Sequence, residues 1–227
     1  MKKFLTGGAV RDRLLGRRTK DLDYSVEAES FEAMLAEVEV LAVGGKVFEV
    51  RPEHYTVRAN LPDTGPADFV LCRREGPYSD GRRPDWVRPG TLLDDLARRD
   101  FSVNAMCFLP DGTLFDPHNG KADLADMVLR CVGDPHDRFF EDSLRLARAV
   151  RFMVTHGFTL HATVAAAMRD PGLVARLDNA SVNRVQAEMQ KAFACDTVRA
   201  LEVLDGFPLL RAKMFSRGLR LFPTLKQ

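Results

Sequence analysis

The chain has 227 residues, of which 45% are hydrophobic and 29% charged, and its 33 Lys and Arg nearly balance 32 Asp and Glu. This length can bury a core without the help of disulfides, and this composition excludes a disordered or fibrous protein. A net charge of +1 gives no overall attraction to polyanions, so a nucleic acid would have to be held by local basic patches.

The cysteines and the apolar runs indicate a compartment. The four cysteines show no paired metal-binding spacing, and the N-terminus lacks the apolar run of a secretory signal. We therefore expect reduced thiols in a cytoplasmic protein. Charged residues interrupt every apolar stretch before the roughly 20 residues that a membrane span needs, so no membrane partner is expected.

The first part of the chain mixes helix and strand patterns. Helical spacing occurs at residues 9–15 and again at 30–40, where Ser30 is a candidate N-terminal cap. Alternating apolar and polar residues predict strands at 22–26, 46–50 and 55–59. This mixture predicts an α+β or α/β domain.

The pattern changes in the last third of the chain. From Phe139 onward, apolar residues recur at spacings of three and four, with Gly or Pro between the segments. Gly133-Asp134-Pro135 is typical of a turn between the two patterns. We therefore predict a mixed domain over 1–135 and an all-helical unit over 136–227.

Two adjacent glycines precede the first predicted helix. Gly7 and Gly8 stand directly before it, and Gly16 is placed to end it. Glycine lets a bound group approach the backbone, and the start of a helix offers free N–H groups to a phosphate. The same pair also occurs in ordinary tight turns, so this signal is weak by itself.

Two carboxylates follow on the next predicted strand. The alternation of a strand places Asp21 and Asp23 on one face. Like charges repel each other unless a cation lies between them, which favours bound Mg²⁺ together with substrate phosphates. A solvated strand edge is the alternative, but the two glycines upstream favour a site for a nucleoside triphosphate and its metal.

These residues carry a family resemblance. The run GGAVRDRLLGR at 7–17, followed by KDLD at 20–23, resembles the signature of class II tRNA nucleotidyltransferases (CCA-adding enzymes) and bacterial poly(A) polymerases. Four later segments match in the family's order: 73–84 resembles its flexible loop, 95–106 its Arg-Arg-Asp-Phe motif, 116–120 with Asp123 and Leu124 a further motif, and 138–148 its base-recognition motif.

The resemblance implies a fold and a domain order. It implies an α+β, nucleotidyltransferase-type (polymerase-β-like) head over 1–135, with a small mixed sheet flanked by helices. A helical neck over 136–227 would recognise the base and contact tRNA. The body and tail domains of longer relatives are expected to be absent.

The resemblance also implies functional residues. Asp21 and Asp23 would bind the metal ions, and Asp68 on a strand-like segment would be a third catalytic carboxylate. The nucleotide-binding residues would be Gly7, Gly8, Arg11, Arg99, Asp100, Asn104, Asp142, Arg145 and Arg148.

Base selection has a physical argument of its own. Asp142 and Arg145 are three residues apart on a predicted helix, which makes them neighbours on one face, and Arg148 lies three residues further along it. An acceptor beside a donor matches the amino group and ring nitrogen of cytosine and of adenine, whereas uracil and guanine present the reverse order. A surface ion pair on a helix is the alternative for an isolated pair of this kind.

The resulting functional expectation is template-independent addition of CMP and AMP, from CTP and ATP, to the 3′ end of tRNA, with Mg²⁺ as cofactor. Poly(A) polymerase, CC-only and A-only activity remain alternatives, as does an RNA-binding or nucleotide-sensing module without catalysis. The loop at 78–84 argues against CC-only activity, because that variant is associated with its loss. Trp86, the only tryptophan, either packs partly into the head or stacks on RNA.

Overall fold

The computed structural model describes residues 1–19, 22–79, 84–222 and 224. Two compact units divide the chain, the first comprising 1–75 and 86–122 and the second 76–85 and 123–227.

The first unit is built on one sheet. Its strands are β1 (Lys2–Thr6), β2 (Leu22–Glu27), β3 (Lys46–Arg51), β4 (Thr56–Leu61), β5 (Gly65–Leu71), β6 (Arg73–Glu75), β7 (Val87–Pro89), β8 (Cys107–Phe108) and β9 (Leu114–Phe115). Its helices are α1 (Gly8–Leu14), α2 (Phe31–Leu41), α3 (Leu92–Ala97) and α4 (Gly120–Ala125), the last of which crosses into the second unit, with 3₁₀ turns at Pro52–His54 and Ser102–Asn104.

The sheet is mixed. Within the described residues, seven strands lie in the order β3-β4-β5-β2-β1-β8-β9, and β6 and β7 form a separate hairpin. Only the β2–β5 pair of the large sheet is parallel, and the other neighbours are antiparallel. The predicted α+β head with a small mixed sheet is confirmed.

One hydrophobic core of this unit lies between α2 and the sheet. The helix begins after Ser30, whose hydroxyl accepts a hydrogen bond from the amide of Ala33 at 3.1 Å, as the sequence predicts. Its buried face packs on apolar side chains of β4 and β5, and Tyr24 of β2 stacks on Phe69 with ring centres 5.2 Å apart. This packing fixes β2 and β5 beside each other.

The second unit is helical, as predicted. Its helices are α5 (Pro135–Glu141), α6 (Leu144–His156), α7 (Ala162–Ala167), α8 (Pro171–Ala175), α9 (Val182–Cys195), α10 (Thr197–Asp205) and α11 (Pro208–Phe215), with a 3₁₀ turn at Arg176–Asn179. Two short strands, β10 (Val128–Leu129) and β11 (Thr159–Leu160), pair in parallel. Helix α6 packs against α9 and α10.

The structure shows the state of the cysteines and the character of the helices. All four cysteines are free, and Cys72, Cys107 and Cys131 are buried. In the described part of the chain, the helices are too short and too polar to cross a membrane.

Candidate active site

Two aspartates lie side by side on the parallel strands of the sheet. Asp23 of β2 and Asp68 of β5 are register partners, and both line an open pocket of about 410 Å³. Asp21, the other predicted metal ligand, lies outside the described residues. The sheet therefore brings the second carboxylate of the Asp-x-Asp pattern next to the predicted third one.

Asp68 already has a cation beside it. Its Oδ2 lies 3.0 Å from Nε of Arg58, which projects from the neighbouring β4 and also contacts Glu49. Arg58 lines the same pocket as the two carboxylates. A metal ion at Asp68 would therefore have to share this carboxylate with a guanidinium.

Gly7 occupies a position where a side chain would be strained and would press against Arg99. Its φ of +69° is in the left-handed region, and a Cβ placed there would lie 2.7 Å from Nη1 of Arg99 and 3.6 Å from Oδ2 of Asp23. The space beside the backbone at the start of α1 is thus bordered by a cation and a carboxylate. At the next position, Cβ of a substituted Gly8 would lie 3.4 Å from Nη2 of Arg11.

The guanidinium of Arg99 is held from several directions. Nη2 donates to the hydroxyls of Thr6 and Ser25 at 2.9 and 3.0 Å and to Asp95 at 3.2 Å, and Nη1 donates to the carbonyl oxygen of Asn104 at 2.9 Å. These contacts fix the cation beside Gly7. An arginine fixed in this way is suited to binding a phosphate.

Asp95 anchors this arrangement and was not among the predicted site residues. It has no exposed surface and also accepts hydrogen bonds from Ser25 and Arg98. Burial alone would raise the pKa of Asp95, but the charges of Arg98 and Arg99 and the hydrogen bond from Ser25 outweigh it and lower the pKa to about 2. Its place at the start of the segment 95–106 that carries the family resemblance, four residues before Arg99, was the available signal.

A second group of predicted residues forms a chain of hydrogen bonds. Nη1 of Arg11 donates to Oδ1 of Asn104 at 2.6 Å, and Nδ2 of Asn104 donates to Asp100 at 3.1 Å. Arg11 also makes two bonds to Asp12, at 2.8 and 2.9 Å. The structure thus brings together Arg11, Asp100 and Asn104, as expected for residues of one site, and adds Asp12.

The donor set fits a hard divalent cation. Mg²⁺ is usually held by one or two carboxylates together with substrate phosphates, and Asp23, which lies beside Gly7, forms such a pair with Asp68. Among the described residues, to which Asp21 does not belong, no group of three or more His, Cys, Asp or Glu side chains is arranged to hold a metal.

The placement of the base-recognition residues needs a correction. The prediction that Asp142 and Arg145 lie on one helix is wrong, because Asp142 follows the last residue of α5 and α6 begins at Leu144. Its carboxylate accepts from the amide of Leu144 at 3.0 Å, and this local bond favours a break between the helices. Arg145 and Arg148 both lie on α6.

Acidic and basic side chains of the second unit surround these three residues. Arg145 is buried and donates from Nη1 to Glu141 at 2.8 Å, and Asp142 accepts from Arg184 of α9 at 3.3 Å. Glu188, also on α9, pairs with Arg148 and Arg151. The contacts from α9 were not predicted. The spacing of apolar residues predicts helices in this part of the chain but does not show which polar side chains they bring together.

The first unit has the head fold of nucleotidyltransferases, a mixed sheet flanked by helices with aspartates on neighbouring strands beside a glycine turn. A family model for the Poly A polymerase head domain matches residues 3–130. The chain belongs to this family.

Similar proteins carry one name. The chain is 39% identical over 208 residues to the CCA-adding enzyme of Bacillus pumilus, and 38% identical over 189 residues to that of Lacticaseibacillus paracasei. These alignments cover 88% and 83% of the chain but 48% and 45% of the relatives. The chain therefore spans about half the length of the curated relatives it matches.

Solved structures agree with the sequence relatives. The CCA-adding enzyme of Bacillus stearothermophilus in complex with CTP matches with a TM-score of 0.77 and 32% identity, over 91% of this chain and 48% of that one. A tRNA-processing enzyme with CTP matches with a TM-score of 0.75 and 29% identity, over 92% and 54%. The predicted resemblance is confirmed.

Proposed function

We propose that this chain catalyses template-independent addition of CMP and AMP, from CTP and ATP, to the 3′ end of tRNA. The observation that carries the proposal is that Gly7, which has no side chain, lies beside both the carboxylate of Asp23 and the guanidinium of Arg99. Hydrogen bonds hold that guanidinium in place. A nucleoside triphosphate with its metal ion needs all three kinds of group at one place. CCA-adding enzymes among the relatives, including one bound to CTP, support this choice of reaction.

The residues divide the work of nucleotidyl transfer. Asp21 and Asp23 would hold Mg²⁺, with Asp68 as the third carboxylate; when bound, the ions lower the pKa of the attacking 3′-hydroxyl and neutralise charge on the leaving pyrophosphate. Arg99 would bind the triphosphate, and its fixed position means that little reorganisation is needed during the reaction. Arg11, oriented by Asn104, would do the same from α1.

Base selection is assigned to the second unit. Asp142 would accept a hydrogen bond from the amino group of cytosine or adenine, and Arg145 would donate to the adjacent ring nitrogen. Uracil and guanine would leave these groups unpaired, which costs about 1–3 kcal/mol for each buried group. Arg148, paired with Glu188, would complete this base-binding group.

Incorporation of AMP alone is the second candidate. The observation that favours it is the matching family, which is described by poly A polymerases. The same residues would serve both reactions, so only the products distinguish them. In either case the four free cysteines suit a reducing compartment such as the cytoplasm.

The deciding experiment offers tRNA lacking its last three nucleotides with Mg²⁺ and with each nucleoside triphosphate, separately and together. We expect two additions with CTP alone, three with CTP and ATP, and almost none with UTP or GTP, read as product lengths on a gel. A long ladder with ATP alone would favour the second candidate. Asp23→Asn should abolish addition, while Asp63→Asn, an exposed carboxylate in the β4–β5 turn, should not.

A further inference from the structure

The β6–β7 hairpin carries two arginines directly opposite each other. Arg74 and Arg88 are register partners on its antiparallel strands, and both are exposed. Like charges placed opposite each other destabilise a strand pair. The hairpin therefore has a built-in repulsion that a bound anion would relieve.

The acidic groups nearby compensate this charge only in part. Asp94 of α3 accepts from Arg74 at 3.2 and 3.3 Å, and also from the amide and hydroxyl of Thr91 at 2.9 Å each. Arg88 has no acidic partner within the part of the chain that the structure describes. Among the described residues, the guanidinium of Arg88 thus has no carboxylate beside it, and that of Arg74 has a partly exposed one.

An exposed indole lies beside the two cations. Trp86 keeps 40% of its surface exposed, and the guanidinium carbon of Arg88 lies 5.1 Å from its ring centre. Arg74, Trp86 and Arg88 line one open pocket of about 410 Å³ together with Asp94 and the backbone turn into α3. Trp86 was predicted either to pack partly into the head or to stack on RNA. Partial packing alone does not account for the two arginines, Arg74 and Arg88, that lie beside it.

We propose that Arg74, Trp86 and Arg88 form a binding site for an unpaired nucleotide of an RNA strand. A base would stack on Trp86, and the phosphates on either side of it would contact Arg74 and Arg88. Aromatic rings that stack bases beside a basic groove are the usual means of binding single-stranded nucleic acid. This proposal rests on the proposed function in one respect, since that function makes RNA the substrate.

Trp86 provides its own probe, because it is the only tryptophan in the chain. The unlabelled protein is titrated with tRNA lacking its last three nucleotides and, separately, with an oligoadenylate of about ten nucleotides, a length within known single-strand site sizes. We expect saturable quenching of tryptophan fluorescence by both RNAs. Neither ATP nor polyglutamate at matched charge concentration should reproduce it.

Variants separate stacking from charge. The Kd for fluorescein-labelled RNA, measured by anisotropy, should rise roughly 10-fold in Trp86→Ala and stay within about 3-fold in Trp86→Phe, which keeps a stacking ring. Arg74→Ala and Arg88→Ala should each reduce the slope of log affinity against log salt by about 0.7. Arg199→Ala on α10 is the matched control, since Arg199 is exposed and has an exposed acidic partner, Glu202.

The outcomes are distinct from those of the addition assay. Unchanged RNA affinity in a folded Trp86→Ala protein, or in Arg88→Ala if the former does not fold, would overturn the proposal. Equal quenching by ATP or polyglutamate would also overturn it, in favour of a free nucleotide or an acidic protein partner. Quenching that persists in a protein without nucleotide addition would keep this site and reject the proposed function.

Discussion

Nη2 of Arg99 donates to Oδ2 of Asp95 at 3.2 Å, so the guanidinium beside Gly7 is anchored on a carboxylate without exposed surface. Asp95→Asn removes the charge but not the shape of this anchor. We expect kcat/KM for CTP and ATP to fall by about 100-fold, because a loosened Arg99 no longer holds the triphosphate in position. The fall should lie mainly in KM for the nucleotide.

The neighbouring residue supplies the control for this variant. Asp94→Asn makes the same isosteric change on the same helix but at a partly exposed carboxylate. Urea unfolding should show a loss of about 3–5 kcal/mol for Asp95→Asn, since an arginine pair loses its buried partner, and less than half of that for Asp94→Asn. Equal effects of the two substitutions on nucleotide KM would contradict the anchoring role of Asp95.

Asp95 also predicts an acid dependence of stability. Burial opposes ionisation, but Arg98 and Arg99 outweigh it, so the pKa of about 2 in the folded chain lies below the ordinary value near 3.8. A lowered carboxylate pKa stabilises the fold above the ordinary pKa, and this contribution disappears as the pH falls through the folded pKa. About 2 kcal/mol should therefore be lost between roughly pH 5 and pH 2.

The measurement compares urea unfolding of the wild type and Asp95→Asn across that range. The wild-type advantage in free energy of unfolding should narrow as the pH falls. An advantage that stays constant from pH 5 to pH 2 would show that Asp95 does not titrate in this window.

Gly7 and Gly16 form a matched pair for a test of the glycine turn. Both have a φ of +69°, but a Cβ at Gly7 would lie 2.7 Å from Arg99, whereas nothing lies within 4 Å of one at Gly16. Alanine is strained by the positive φ at both positions, by at least about 1–2 kcal/mol, and more so at Gly7, where ψ is −136°. Only Gly7→Ala should also displace Arg99, lowering kcat/KM by at least about 10-fold. If Gly16→Ala lowers activity equally, backbone strain alone explains the effect.

The pair of Arg58 and Asp68 allows a test of the third carboxylate. If Asp68 binds metal, Asp68→Asn should raise the Mg²⁺ concentration for half-maximal activity by about 10-fold, since a ligand charge is lost. Arg58→Gln should lower it, because this substitution removes the positive charge 3.0 Å from the carboxylate. Direct Mn²⁺ binding, followed by electron paramagnetic resonance, should change in the same two directions. Unchanged binding in Asp68→Asn would leave Asp100 as the next candidate, although Asp100 already accepts from Asn104 and the amide of Phe101.

Sequence periodicity was sufficient where local rules decide the structure. The Ser30 cap, the glycine at each end of α1 and the alternation of β2 all depend on residues close together in the chain. The pairing of Asp23 with Asp68 depends instead on β2 and β5 becoming neighbours. No spacing within either strand shows that, and only the family resemblance suggested it.

Burial and helix boundaries were the harder features to predict. Asp95 is acidic and adjacent to Asp94, so by composition both resemble solvent-exposed helix residues, yet only the tertiary contacts with Ser25 and Arg99 bury one of them. At Asp142 the helical spacing of the sequence continues, but the helix itself is broken, because the Asp142 side chain accepts a hydrogen bond from a nearby backbone amide. A spacing of three therefore suggested a shared helix that does not exist.

A substitution of Arg184 tests base selection, because Arg184 of α9 donates a hydrogen bond to Asp142 at 3.3 Å. Asp142 lies in the break between α5 and α6, so its carboxylate is oriented by this contact and by the amide of Leu144. Arg184→Ala should loosen the acceptor without removing it. We expect kcat/KM for CTP and ATP to fall, and the preference over UTP and GTP to shrink by about 10-fold, the equivalent of about 1.4 kcal/mol. Lys191→Ala removes an exposed charge from the same helix and should leave the preference intact.

The double exchange of Asp142→Arg with Arg145→Asp should have a larger effect than Arg184→Ala, weakening addition of C and A while admitting U or G. A preference unchanged in both Arg184→Ala and the double exchange would place base selection on other residues, because neither the acceptor nor its orientation would then matter to the choice of nucleotide.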